Sequence, residues 1–204
     1  MNNVKIRISS LLLGAGLGSR MKSSFKLLRP LHHRSVISQV AKNISDANFQ
    51  EVILITGFKS SEVEKDLQDF NFKKIHNPFY EKGMHSSIRA GLMNISDENS
   101  FFAVCLGDQP FLKTEDYNQL IHAVQMNPEA KLIYPEFEGK RGQPVFISLS
   151  LKAEILAHPD DDKGCSYLFK KYPSLGIPMN TDACLMDLDT DEDYNRFMKR
   201  TSHE

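Results

Sequence analysis

Apolar and polar positions along the chain fall into blocks whose spacing separates strands from helices. Ile6–Leu13 is a short apolar run that stops at Gly14, and Val52–Ile55 and Phe101–Leu106 are further unbroken runs. Runs of this length, bounded by turn residues, read as strands buried on both faces. Between them the period changes. Ser35–Ala47 has Val36, Ile37, Val40, Ala41 and Ile44 at helical spacing. Ser60–Phe70 is predicted as a helix with Ser60 as its N-cap and Glu62 and Glu64 in the first turn. Phe72–His76 follows as a short strand and Met84–Met93 as a helix. Thr114–Met126 is a helix whose Glu115 and Asp116 suit its N-terminus. Lys131–Tyr134 and Pro144–Ile147 read as strands, Leu151–Ala157 and Gly164–Lys171 as helices, Leu185–Leu188 as a strand, and a helix starts at Asp191.

Regular alternation from Ile6 to Met126 predicts a three-layer α/β domain with a mostly parallel, Rossmann-like sheet. Pro135–Ser148 is less regular and predicts a short annex outside the main sheet. In such sheets ligands bind beyond the carboxyl ends of the strands, so residues just after the apolar runs are the first candidates for chemistry.

Composition narrows the partners. The 204 residues carry 25 Lys plus Arg against 26 Asp plus Glu, a net charge of -1, which gives no general electrostatic grip on nucleic acid. No stretch of apolar residues is long enough for a spanning helix, so no membrane partner is expected. Met1–Met21 imitates a signal peptide, but its apolar run breaks into alternating glycines; it reads as a strand entering a loop. Three widely spaced cysteines, Cys105, Cys165 and Cys184, fit reduced thiols and a cytoplasmic protein. Cys105, inside an apolar strand, reads as an inert buried thiol.

The loop after the first strand is Gly14-Ala15-Gly16-Leu17-Gly18-Ser19-Arg20-Met21, with Lys26 following. Glycines let backbone amides approach phosphate oxygens, Arg20 can fork two of them, and Lys26 adds a point charge. The alternative is a tight turn with solvated cations. Leu106-Gly107-Asp108-Gln109-Pro110 places Asp108 at a strand's carboxyl end. A lone carboxylate there suits Mg²⁺, which keeps waters and adds phosphate oxygens, while a turn residue before Pro110 is the plainer reading. Asp187 and Asp189 offer further carboxylates, with Asp189 or Thr190 equally suited to capping the last helix. Asn77, Gly83, Ser86 and Ser87 lie at a strand-to-helix joint and suit a base or ribose; Ser86 is also placed to cap that helix. The basic loop Arg141-Gly142-Gln143-Pro144 suits an anionic acceptor or an exposed turn, and Asp160–Gly164 is placed to approach a substrate, with an acidic surface turn the plainer reading. His85 is read as structural.

In this order the motifs resemble the nucleotidyltransferases with the nucleotide-diphospho-sugar transferase fold. The first loop with Lys26, Gly83–Gly91, Leu106–Pro110, Gly142–Val145 and Asp187–Tyr194 together look like the molybdenum cofactor cytidylyltransferases and their MobA-like NTP transferase relatives. The resemblance spans about Ile6 to Phe197. It implies one nucleotidyltransferase domain over 1–204, with a nucleotide-binding half of about 1–112 and an acceptor-binding half of about 113–204. It implies Mg²⁺-dependent attack by the terminal phosphate of molybdopterin on the α-phosphorus of CTP, with release of pyrophosphate.

Carried onto this chain, Arg20, Lys26 and Asp108 would be catalytic. Leu13, Gly14, Ala15, Gly16, Leu17, Gly18, Ser19, Asn77, Gly83, Ser86, Ser87 and Gly107 would contact the nucleotide. Arg141, Gly142, Gln143, Pro144 and Gly164 would face the acceptor, and Asp108 with Asp189 or Asp187 would hold the metal. Ala15, where guanylyl-transferring relatives carry Gly, favours CTP over GTP. Departures from the family pattern include Gln143 for His, Ser166 near an expected Arg, Lys22 for Gly and Asp191 for Pro. Other expectations are a GTP-using enzyme, another phosphorylated acceptor, or a carrier that delivers molybdenum cofactor to a molybdoenzyme.

Overall fold

The computed structural model describes residues 6–16, 25–188 and 190–201. The first apolar run is β1 (Ile8–Gly14). After a 3-10 turn at Lys26–Leu28, a two-residue hairpin of β2 (Pro30–Leu31) and β3 (Arg34–Ser35) leads into α1 (Val36–Asp46). Ser35 caps α1 by accepting the Ser38 N–H at 3.0 Å. β4 (Glu51–Thr56), α2 (Ser60–Asp66), β5 (Lys73–His76), α3 (Met84–Leu92), β6 (Phe101–Leu106) and α4 (Thr114–Met126) follow as the period changes predict. The second half contains β7 (Leu132–Phe137), β8 (Lys140–Arg141), β9 (Val145–Ser148), α5 (Lys152–Ala157), β10 (Ser174–Pro178) and α6 (Asp191–Thr201).

One eight-stranded sheet joins both halves in the order β10-β7-β9-β6-β1-β4-β5, with β8 paired to β7. β1 is parallel to β4 on one side and to β6 on the other. Its neighbours leave in opposite directions along the sheet, so the chain reverses its strand order beside β1, where open α/β sheets form their ligand crevice. Side-chain alternation divides the core between the two faces. Leu12, Leu54, Ala103 and Cys105 pack with α1 and α4 on one face; Leu11, Ile53, Ile55, Phe102 and Val104 pack with α3 on the other.

Four expectations need correction. Pro135–Ser148 forms no annex: β9 is inserted between β6 and β7 and is antiparallel to both. Its four residues are all buried, a pairing set by distant strands and invisible in a short irregular stretch. Leu185–Leu188 is not a strand. A 3-10 turn covers Asp182–Leu185, started by the Thr181 hydroxyl accepting the Ala183 N–H. Gly164–Lys171 shrinks to a 3-10 turn at Ser166–Lys170. Ser60 is the first residue of α2, with Lys59 at its N-cap in a left-handed conformation (φ 53). β10 corresponds to no element expected from the sequence; it carries Gly176 and Pro178, and an edge strand tolerates Pro.

Leu54 is fully buried on β4, between β1 and the edge strand β5. Leu54→Ala is expected to lower stability by about 3 kcal/mol, read as a lower urea midpoint with an unchanged slope.

Candidate active site

The carboxyl ends of β1 and β6 meet at a backbone contact. The Gly107 N–H donates to the Leu13 carbonyl at 3.0 Å. A side chain at Gly107 would place Cβ 2.8 Å from that same oxygen, so only glycine lets the two loops close. Beyond this contact lies a cavity of about 600 Å³. Leu13, Ala15 and Gly16 line it from the first loop, and Leu106, Gly107 and Asp108 from the second. Leu17, Gly18, Ser19 and Arg20 lie outside the described residues, as does Asp189.

The 3-10 turn at Lys26–Leu28 buries Leu27 and leaves Lys26 facing the cavity. There the Lys26 ammonium pairs with the Asp108 carboxylate, and both side chains are only 16% exposed. Asp187 joins the same wall. Its neighbour Leu188 donates its N–H to the Asp108 carbonyl at 3.1 Å, which ties the two acidic segments together. The helix that follows is anchored separately. Thr190 and Asp193 form a capping box, with the Asp193 N–H on the Thr190 hydroxyl and the Thr190 N–H on the Asp193 carboxylate, each at 3.1 Å. Arg29 pairs with Asp191 and lies 3.7 Å above the Tyr194 ring.

The start of α3 supplies another wall through Gly83, Met84 and Ser87. Asn77 donates to the Ser86 and Ser87 hydroxyls at 2.9 and 3.1 Å and accepts the Phe79 N–H at 3.0 Å. The Ser86 hydroxyl lies 2.8 and 2.9 Å from the Gly83 and Phe79 carbonyls. Asn77 and Ser86 therefore hold the joint together, and Ser87 alone of the three lines the cavity. Ser86 does not cap α3; Gly83 is the cap residue and no side chain bonds there.

The expected acceptor loop lies elsewhere. Arg141 stacks on the Phe169 ring at 3.8 Å. Gly142 and Gln143 donate their N–H groups to the Pro135 and Cys184 carbonyls. None of Arg141, Gly142, Gln143, Pro144 or Gly164 is among the residues lining this cavity. Tyr80, Glu81, Lys82 and Leu27 line it although no motif of the sequence contains them, whereas Met84 and Asp162 belong to the stretches Gly83–Gly91 and Asp160–Gly164. The first three follow β5 on the carboxyl side of the sheet, a placement that could have flagged them. Asp162 lies in Asp160–Gly164, where the plainer reading is an acidic surface turn; it reaches the cavity from the second half of the chain.

Charge gives the cavity its chemical character. Four described carboxylates line it (Glu81, Asp108, Asp162 and Asp187) against the ammonium groups of Lys26 and Lys82. Hard oxygen donors in excess over cations suit a divalent ion. Among the described residues no group of three or more His, Cys, Asp or Glu side chains is placed to hold a metal.

Comparison with known proteins assigns the chain. Residues 10–175 match the MobA-like NTP transferase domain. The chain belongs to this family. MobA-like NTP transferases are nucleotidyltransferases, and the nucleotide-diphospho-sugar transferase fold is the one found here. Molybdenum cofactor cytidylyltransferase from Escherichia coli (strain K12) is 26% identical over 188 residues, 92% of this chain and 93% of that protein. Nicotine blue oxidoreductase from Paenarthrobacter nicotinovorans is 23% identical over 197 residues, 94% of this chain and 96% of that protein. The crystal structure of Rv0371c from Mycobacterium tuberculosis H37Rv superposes with a TM-score of 0.81 at 23% identity, covering 95% of this chain and 98% of that one. The same protein has been crystallised in complex with manganese; that structure gives a TM-score of 0.80 at 22% identity, again covering 95% and 98%.

No helix of the described residues is long and apolar enough to cross a membrane. The cysteines stand apart from the cavity. Burial pushes the Cys105 and Cys165 thiols up to about 12 and raises that of Cys184. Native protein is therefore expected to leave a thiol-reactive disulfide reagent unconsumed at pH 8, and denatured protein to consume it at all three cysteines.

Proposed function

We propose that this protein transfers the cytidylyl group of CTP to the terminal phosphate of a molybdopterin-type acceptor and releases pyrophosphate. The observation that carries the reading is the convergence of Lys26, Asp108 and Asp187 on one cavity at the carboxyl ends of β1 and β6. The full-length likeness to molybdenum cofactor cytidylyltransferase supports the choice of substrates, and Ala15 supports the base. Ala15 lines the cavity, and on this reading its methyl group would leave less room for a larger purine.

The donor set fits Mg²⁺: Asp108 and Asp187 would supply two carboxylates to the ion, with Asp189 a third candidate. Bound there, the ion neutralises phosphate charge and steadies the leaving group. The protein's own contribution is placement and charge. An acceptor phosphate oxygen forms a bond to the α-phosphorus, and the bond from that phosphorus to the β-phosphate oxygen breaks. Lys26, with Arg20 from the first loop, compensates the charge of the triphosphate, and the backbone of Ala15 and Gly16 gives it close approach. No side-chain nucleophile is needed.

Lys26 has a second role on this reading. Its ammonium already neutralises Asp108, so it stands where a metal would draw on that carboxylate. A triphosphate offers Lys26 a stronger anion, and the carboxylate then becomes available to the ion. Metal and nucleotide thus assist each other's binding.

A pure carrier of molybdenum cofactor needs no such set of charges. The discriminating assay mixes purified protein with Mg²⁺, molybdopterin and CTP or GTP and follows pyrophosphate. CTP-dependent release is expected. Asp108→Asn keeps the side-chain volume and removes the charge; it is expected to lower turnover by about a hundredfold or more while the protein still unfolds in one cooperative transition. Unchanged turnover would remove Asp108 from the mechanism.

A further inference from the structure

A buried polar cluster adjoins the cavity but takes no part in the chemistry above. His85 and Arg89 lie one turn apart on α3 and therefore share a face. His85 is fully buried, and its Nδ1 lies 3.4 Å from an Asp160 carboxylate oxygen. The Arg89 guanidinium lies 3.1 Å from the same oxygen and also donates to the His158 carbonyl. Two side chains of α3 thus grip the segment 158–160. The backbone extends the grip, since the His85 N–H donates to the Asp161 carbonyl at 2.9 Å. Gly83 makes the fit possible: its φ is +99°, and a Cβ there would come 2.5 Å from the Asp161 oxygen. His158 completes the seal, its ring stacked 3.7 Å from that of Tyr167.

The cluster is better suited to fixing geometry than to adding stability. His85 Nε2 and Arg89 Nε are buried and meet no partner among the described residues. Buried polar atoms without partners subtract from stability, and buried ion pairs add little net. What the grip does achieve is placement. Asp162 follows two residues after Asp160 and lines the cavity beside Gly83, Met84 and Ser87. Lys26 and Asp108, by contrast, sit on the 3-10 turn and the end of β6, which the grip does not touch.

We propose that Asp160 is a positioning residue: held by His85 and Arg89, it fixes the 158–164 segment against α3 and so sets the wall that receives the nucleoside. The inference rests on the nucleotidyltransferase reading of the cavity. It separates two parts of one ligand, because loosening this wall weakens contacts to base and ribose and spares those to the phosphates.

Calorimetric titration with the manganese complexes of CTP and of inorganic tripolyphosphate tests the proposal. Asp160→Asn is expected to bind CTP about tenfold more weakly, the equivalent of one charge-assisted contact, with tripolyphosphate affinity within about twofold of wild type. His85→Asn, which retains an N–H donor toward Asp160, is expected to keep wild-type CTP affinity. If Asp160→Asn shows no cooperative thermal transition, Arg89→Gln provides the same comparison. Equal weakening of both ligands, or an undiminished affinity for CTP, would overturn the positioning role. Wild-type protein that binds neither ligand would overturn the nucleotidyltransferase reading itself, and the proposal with it.

Discussion

The structure depends on the double parallel pairing of β1. Its backbone is hydrogen-bonded to β4 and β6, and its side chains are buried alternately beneath α1 and α3. A one-residue slip would exchange the two faces, so the register is fixed by burial as well as by hydrogen bonds. Fixed register brings the end of β1 level with the end of β6, pairing Leu13 with Leu106. The two loops that leave this point are obliged to face each other, and the Gly107–Leu13 contact closes them to backbone distance. The cavity follows from that constraint.

Electrostatics then decides what the cavity accepts. Its described carboxylates outnumber its ammonium groups, so an unaccompanied triphosphate meets repulsion as well as attraction. On the proposed reading a divalent cation would reverse the balance. The Lys26–Asp108 pair couples the two events, since the same carboxylate serves the ammonium before binding and the ion afterwards on the proposed reading. Such coupling is reciprocal: the factor by which nucleotide tightens metal equals the factor by which metal tightens nucleotide.

Much of this was legible in the sequence, for local reasons. Thr114–Met126 was placed to the residue because its acidic first turn and its apolar period agree. Lys26, Asp108 and Ala15 were found because they follow apolar strands on the side where α/β sheets bind ligands. Elements set by distant partners were less visible. β9 owes its place to β6 and β7, and Asp162 comes to the cavity on a segment that α3 contacts at Asp160 and Asp161. Arg141–Pro144 has the composition of an anion-binding loop, yet its backbone donors are satisfied by Pro135 and Cys184. Composition alone does not show which donors remain unpaired.

The central claim is that Lys26 and a divalent cation compete for Asp108 until a triphosphate draws Lys26 away. The most direct test is Mn²⁺ binding, followed by the electron paramagnetic resonance of the free ion, in wild type and Lys26→Met, each with and without CTP. The account predicts weak Mn²⁺ binding by nucleotide-free wild type, tightened about tenfold or more by CTP. It predicts that Lys26→Met binds Mn²⁺ more tightly than wild type without nucleotide and gains less from CTP. Mn²⁺ affinity in nucleotide-free Lys26→Met no higher than in wild type, with the gain from CTP undiminished, would contradict it.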